Sequence, residues 1–475
     1  MTSARAKIQR FSQERLMLVL GIYILCQPLL DALTSLGVKA EHPITAGVVV
    51  RALFMAACFL YAVFISEFEG KRLPMLYTAV LVGYLVLFML HLLLVGGLSL
   101  CFANVTEVVK TFFAPFVLVF LYCIYKQYGF AITTQAIGGA GAIYCGVILL
   151  AFLTGTSNPS YPNSGHGYNG WFYAANEIGC IIALTAPFTV YHCIKAVPTV
   201  TKKAWWKGLI LAWCLISVAF SANFVGTKVV FMFNLVYALA ALVWMLFRLY
   251  RERTPAVLAQ VLAVLLLAVL VMGFYRVSAL KQYKDETFDP MIDVESSDVI
   301  TWWPSDLQEA NKGTWLAELV DENPVVQRLD QILSRRLYSA APSVEVFLEG
   351  GIGAKLLGIG YADCDAYSRP IHFMIEMDPP AVFIRHGLVG FAIYCVPYLA
   401  FILYAVLQFF KHPLQRLSSL SYCTLLYCTL AGFAIAIMAG HALVSPAVST
   451  FVLATGMQLW IRTQEQNAQP KPNKA

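Results

Sequence analysis

The chain has 475 residues, 59% of them hydrophobic and only 13% charged, with a formal net charge of +6 and a mean hydropathy of +0.69. A soluble protein carries roughly twice that charged fraction, so a soluble fold is excluded. The charge excess is too small for a nucleic-acid binder, and twelve cysteines without a CxxC pair argue against a zinc site or a disulfide framework.

Apolar runs of about 20 residues, enough to cross about 30 Å of hydrocarbon, follow one another along the chain. They fall at 16–38, 44–66, 74–97, 106–125, 131–153, 172–194, 207–222, 225–247, 255–275, 380–408, 418–440 and 445–461. Continuous runs mark spans, whereas a buried core helix shows a stripe of period 3.6. The first run lacks a small-residue cleavage site and further spans follow it, which speaks against a signal peptide. The expected fold class is an all-α integral membrane protein with about twelve transmembrane helices.

Joined as twelve crossings, the loops sort their cations. One side collects Arg5, Lys7, Arg10, Arg15, Lys71, Arg72, Lys126, Lys195, Lys202, Lys203, Lys207, Arg248, Arg251, Arg253, Lys411 and Arg416, while the short loops opposite hold only Lys39. This is the positive-inside pattern, and it places both termini in the cytoplasm of a cell (inner) membrane. The exception is 276–379, a large extracytoplasmic loop between spans nine and ten with eighteen Asp or Glu against nine Lys or Arg. Its first part, 276–325, reads as acidic and irregular. There Trp302 and Trp303 offer rings that stack on sugars or, more plainly, sit at the membrane interface. Helical periodicity over 326–356 ends at the turn Leu357-Gly358-Ile359-Gly360. The predicted division is a nine-span bundle (1–275), the loop domain (276–379), a three-span bundle (380–461) and a disordered cytoplasmic tail (462–475).

Ionisable groups inside or at the rim of a membrane are expensive and mark candidate sites. Here they are Asp31, Arg51, Lys110, Glu177, Lys228, Arg385, His386 and His441. Arg51 and Asp31 lie deeper and suit a simple pair; snorkelling accounts for any one cation at a helix end. Several such groups toward one leaflet, beneath the large loop, point instead to a polar site. Lys110, Lys228, Arg335, Arg336 and Arg385 would form a cationic patch suited to a diphosphate, because guanidinium forks match phosphate oxygens. Glu376, Asp378 and His441 are candidate proton acceptors, with Asn176 and Glu177 as supporting polar groups. A solvated loop end is the bland account of the two carboxylates at 376 and 378.

Five stretches in order resemble the O-antigen ligase and polymerase family, outer-face enzymes acting on polyprenyl-diphosphate-linked glycans. They are Phe172-Tyr173-Ala174-Ala175-Asn176-Glu177-Ile178-Gly179; Gly226-Thr227-Lys228; Ser334-Arg335-Arg336 with Leu356-Leu357-Gly358-Ile359-Gly360; Glu376-Met377-Asp378 with Gly387-Leu388-Val389-Gly390; and Gly440-His441-Ala442-Leu443-Val444-Ser445-Pro446. The resemblance covers roughly 170–450. It implies a membrane glycosyltransferase working without metal or cofactor, with a loop arginine on the donor diphosphate: Arg336 by motif position, Arg335 as the alternative. It implies an acid or base role for Glu376 or Asp378, with His441 nearby. The implied partners are the lipid-linked glycan, membrane lipid and other polysaccharide-assembly proteins. Ligase and polymerase stay undivided, and a lipid-linked oligosaccharide flippase or a partner-binding scaffold are the readings from other classes. Against a flippase stand the absence of a repeat symmetry and the placement of the charges toward one face.

Overall fold

The computed structural model describes residues 2–42, 45–161, 166–283, 305–333 and 335–468. Trp302 and Trp303 lie outside them. Helices α1 (Thr2–Leu25) and α2 (Gln27–Lys39) meet at Cys26 with a 42° bend. Pro28 in the first turn of α2 lacks an amide donor, so the bend falls where a helix hydrogen bond is missing anyway. Helix α3 (Ala46–Leu60) ends in a π-turn, Tyr61–Ile65.

The predicted spans 74–97 and 106–125 merge into one 57-residue helix, α4 (Arg72–Tyr128). At 1.5 Å per residue such a helix is about 85 Å long, far more than one crossing needs. It breaks at Gly96 and Gly97, and Gly97 takes a positive φ of 71° that glycine alone adopts freely. Next come α5 (Thr134–Leu153), a small antiparallel hairpin of β1 (Pro159–Tyr161) and β2 (His166–Tyr168), then α6 (Ala175–Ala196), α7 (Trp205–Phe224), α8 (Lys228–Glu252) and α9 (Pro255–Tyr275). Among the described residues nine helices are long and apolar enough to cross a membrane, ten if the bent pair counts as one span. The protein is a multi-pass, essentially all-α membrane protein.

Helix α6 is the hub: 78% of its spanning stretch is buried, against 17% for Ala46–Ile65 and 22% for α4. It packs on α5, α7, α8 and two C-terminal helices, α18 (Leu420–Met438) and α19 (Pro446–Ala468). Peripheral helices show bare side chains such as Leu94, Phe102 and Val243, which only lipid covers favourably.

The described parts of the large loop are more helical than its acidic composition suggests. After α10 (Ala279–Tyr283) come α11 (Ser305–Asn311), α12 (Trp315–Glu322), α13 (Pro324–Ile332), α14 (Arg336–Glu349) and α15 (Ile352–Leu357). Asp306 and Glu318 fall in the first turns of α11 and α12, where the helix dipole favours acids, so the charge that reads as irregular supports helix starts. The last helix is also longer than predicted and takes in the first part of the expected disordered tail. Helix α19 continues to Ala468, held by the Arg462–Glu465 pair (2.8 Å) and by Asn467, which accepts from Arg416 and donates to Gln408. Between them stand α16 (Asp378–Lys411) and the short α17 (Pro413–Leu417).

Helix α16 is broken at Gly387 (φ 64°). There the backbone N–H groups of Ile359 and Gly360 donate to the carbonyls of Ile384 and Arg385 (3.2 and 3.1 Å). The glycine-rich turn therefore takes over carbonyls that a continuous helix would keep. A Cβ on Gly358 would sit 2.2 Å from the Arg385 carbonyl oxygen, and one on Gly387 would sit 2.5 Å from Leu356. Two motifs far apart in sequence thus form one joint between loop and membrane helix.

Candidate functional site

The site begins at the first residue of α14. Asp330, buried at the end of α13, accepts the backbone N–H groups of Leu337 (2.8 Å) and Tyr338 (3.4 Å), which caps α14. Burial pushes the Asp330 carboxyl above the usual range, opposed by the Leu337 N–H and the Arg335 charge. Arg335 adopts a left-handed backbone (φ 63°) and turns its guanidinium back to Asp330, 3.5 Å away. Arg336 goes the other way. Its Nε donates to Glu376 Oε2 at 2.6 Å and its Nη1 to the Met438 carbonyl, at the end of α18, at 3.0 Å. A guanidinium has five N–H donors, so three remain without a partner among the described residues.

Glu376 is one-third exposed, whereas Asp378 is 2% exposed. Asp378 Oδ2 accepts the N–H groups of Ala442 (3.0 Å) and Leu443 (2.6 Å), and so clamps the turn between α18 and α19 that carries His441. Gly440 lies so close that a Cβ there would fall 1.1 Å from the Glu376 carbonyl oxygen. His441 itself has φ 56°, a left-handed conformation that costs a non-glycine residue energy and persists only because the surroundings impose it. The imidazole is half-buried at the surface of this turn.

Helices α6 and α8 close the other side. Cys180 Sγ approaches the Gly440 carbonyl (4.0 Å) and lies in electrostatic range of Asp378, Glu177 and Arg336. A Cβ on Gly179 would meet Thr227 Oγ1 at 2.5 Å, so the start of α6 packs onto the residue before Lys228. The Lys228 ammonium in turn feels the Arg336 charge. Glu177, Lys228, Arg336, Glu376, Asp378 and His441 are therefore brought together. Asn176 is exposed at the start of α6.

Two expected members of the cationic patch stand elsewhere. Arg385 is buried at the α16 break, where it donates to the carbonyls of Gly360 (3.0 Å), Ile371 (2.7 Å) and Phe373 (2.9 Å). Its guanidinium holds the loop to the helix and is not open to a ligand. Lys110 pairs with Glu107 one turn before it on α4, at 2.6 Å. Arg51 and Asp31 do pair, at 2.7 Å, inside a buried network that adds Gln27 and Tyr144.

Asp330 and the Met438 carbonyl were not anticipated from sequence. A carbonyl leaves no sequence signal. Asp330 left one: it shares the face of Val326 and Leu333 at helical spacing, an acid on an apolar stripe. His386 proves to be structural, with Nδ1 on the Tyr84 hydroxyl (3.1 Å) and Nε2 on the Tyr361 hydroxyl (2.8 Å), fully buried.

A family model described as O-antigen ligase like membrane protein matches residues 13–466. No curated protein and no solved structure matches the chain.

Proposed function

The chain belongs to the O-antigen ligase-like membrane proteins, and from that premise we propose that it joins a polyprenyl-diphosphate-linked glycan to an acceptor hydroxyl on the outer face of the cytoplasmic membrane. The proposal includes twelve crossings: the bent pair α1–α2 as one, α4 as two, and α19 as the last. Both termini then face the cytoplasm, and residues 276–379 lie outside.

The observation that carries the reading is the setting of Arg336. A partly exposed carboxylate and a carbonyl fix its guanidinium while three N–H donors have no partner among the described residues, and Lys228 lies within reach of its charge. Such a preorganised cation stabilises charge as it develops on a leaving diphosphate. In the step, the acceptor oxygen attacks the anomeric carbon and the bond from that carbon to the diphosphate oxygen breaks. The electron pair departs with the lipid diphosphate, toward Arg336 and Lys228. The hydroxyl proton passes to His441 or Glu376. Asp378, committed to two backbone N–H groups, acts by holding the His441 turn in place.

The test is reconstitution in proteoliposomes with a lipid-linked oligosaccharide and an acceptor. New glycosidic bonds are expected from the parent protein, and a loss of at least 100-fold from Arg336→Ala. Movement of the donor across the bilayer without bond formation would overturn the enzyme reading in favour of a flippase.

A further inference from the structure

At the opposite end of α14 from Arg336 lies a cleft of about 380 Å³. Fourteen residues of helix at 1.5 Å each separate the two ends by about 20 Å. The cleft runs along the seam between α4 and the outer region, with His91 on one side and Glu349, Gly351, Tyr367 and Ser368 on the other. Its size falls in the range of small-ligand sites.

The cleft's chemistry is that of a neutral, hydroxylated ligand. Val95, Val346 and Ile359 supply an apolar wall for the C–H face of a sugar ring. Glu349 accepts from the Ser368 hydroxyl through Oε2, and its other oxygen has no partner among the described residues. A carboxylate with a free oxygen accepts well from sugar hydroxyls. The Tyr367 hydroxyl donates to the Ile359 carbonyl (2.5 Å), which fixes the ring, and His91 is fixed through Nε2 on the Gly358 carbonyl (3.1 Å). Of the cations next to lining residues, Lys355 is turned onto the carbonyls of Phe347 and Leu348, and Arg369 onto those of Ala310 and Lys312. With a carboxylate present and no Lys or Arg among the described residues that line it, the cleft disfavours a phosphate.

We infer that this cleft is a carbohydrate subsite that holds sugar units of the glycan several residues away from the bond being made. The inference rests on the proposed transfer reaction at Arg336 and deepens it: α14 spans the distance between the reacting end and a grip on the chain.

Gly351 allows a clean test. It lines the cleft, has φ −65°, and a Cβ there would meet nothing within 4 Å, so a large side chain fits at the cleft rim without disturbing the backbone. The probe is the lipid-free oligosaccharide released from the lipid-linked donor, added to the full chain in nanodiscs. Binding is read by saturation-transfer NMR, and turnover by bond formation. Gly351→Trp is expected to weaken oligosaccharide binding at least 10-fold and to raise KM for the glycan by a similar factor while kcat changes less than 2-fold. Glu349→Gln is expected to weaken binding 3- to 10-fold. Arg336→Ala is expected to abolish turnover yet bind the oligosaccharide as the parent does. If Gly351→Trp and Glu349→Gln both match the parent in binding and KM, the subsite is overturned. Retained turnover in Arg336→Ala instead counts against the transfer site alone.

Discussion

The two adjacent arginines divide their work because one backbone angle differs. Arg335 sits in the left-handed region and folds back on Asp330, while Arg336 opens α14 and reaches Glu376. Arg335→Ala should therefore keep transfer within about 5-fold and lower thermal stability modestly, whereas Arg336→Ala should lose transfer with the fold intact. Arg336→Lys is expected to remain well below the parent, since one ammonium cannot serve Glu376, the Met438 carbonyl and a phosphate together. Asp378→Ala leaves two buried N–H groups without an acceptor, at about 1–3 kcal/mol. It should depress activity through the displaced His441 turn, and a melting curve beside the rate will show both losses moving together. Gly440→Ala has no room at all against Glu376; loss of transfer, with or without loss of expression, is the expected result.

Among the elements, the joint between the glycine turn and the α16 break fixes the loop relative to the membrane. Arg385, His386, Tyr361 and Tyr84 tie it from both sides. A second tie lies farther out. Asp363 accepts the backbone N–H groups of Ile371 (2.5 Å) and His372 (3.0 Å) and pairs with His372 Nδ1 (2.6 Å). Partial burial raises the Asp363 carboxyl, but the Ile371 N–H and the His372 contacts outweigh it and hold the group below the usual carboxylate range. A depressed folded value means that the contribution to stability is present above the unfolded value, about 4, and is lost as pH falls through the folded value. The Ile371 amide should keep constant protection against hydrogen exchange from pH 7 to about 4 and lose it below. An Asp363→Asn variant should show weak protection at every pH.

Across the whole molecule, the buried Arg51–Asp31 pair joins α2 to α3, with Tyr144 of α5 on the same carboxylate. Removing one partner strands a charge in a low-dielectric interior, at about 3–5 kcal/mol. The Arg51→Met, Asp31→Leu double variant should be more stable than either single change, as measured by thermal unfolding in detergent. This pair was legible in the sequence, because only two opposite charges at matching depth suit hydrocarbon. The all-α, multi-pass character was equally plain, since composition and length dictate it, while nine or ten of the twelve expected spans stand as helices long and apolar enough to cross among the described residues. The gap between the spans 74–97 and 106–125 was expected at 98–105, whereas the helix breaks at Gly96–Gly97 and runs on, because hydropathy records polarity and not the path of the backbone. The cationic patch was read by charge alone, and charge does not reveal that Arg385 is absorbed by three carbonyls. Helical periodicity over 326–356 was legible, whereas α11 and α12 were hidden by acidic residues that in fact favour their N-termini.

The proposed transfer requires Arg336 and Lys228 to hold a lipid diphosphate, and photolabelling measures that contact directly. A photoreactive polyprenyl diphosphate should label peptides that include 228, 336, 376 or 441 in the parent protein, and that labelling should fall at least 10-fold in Arg336→Ala. Labelling that bypasses these segments, or that is undiminished in the variant, would contradict it.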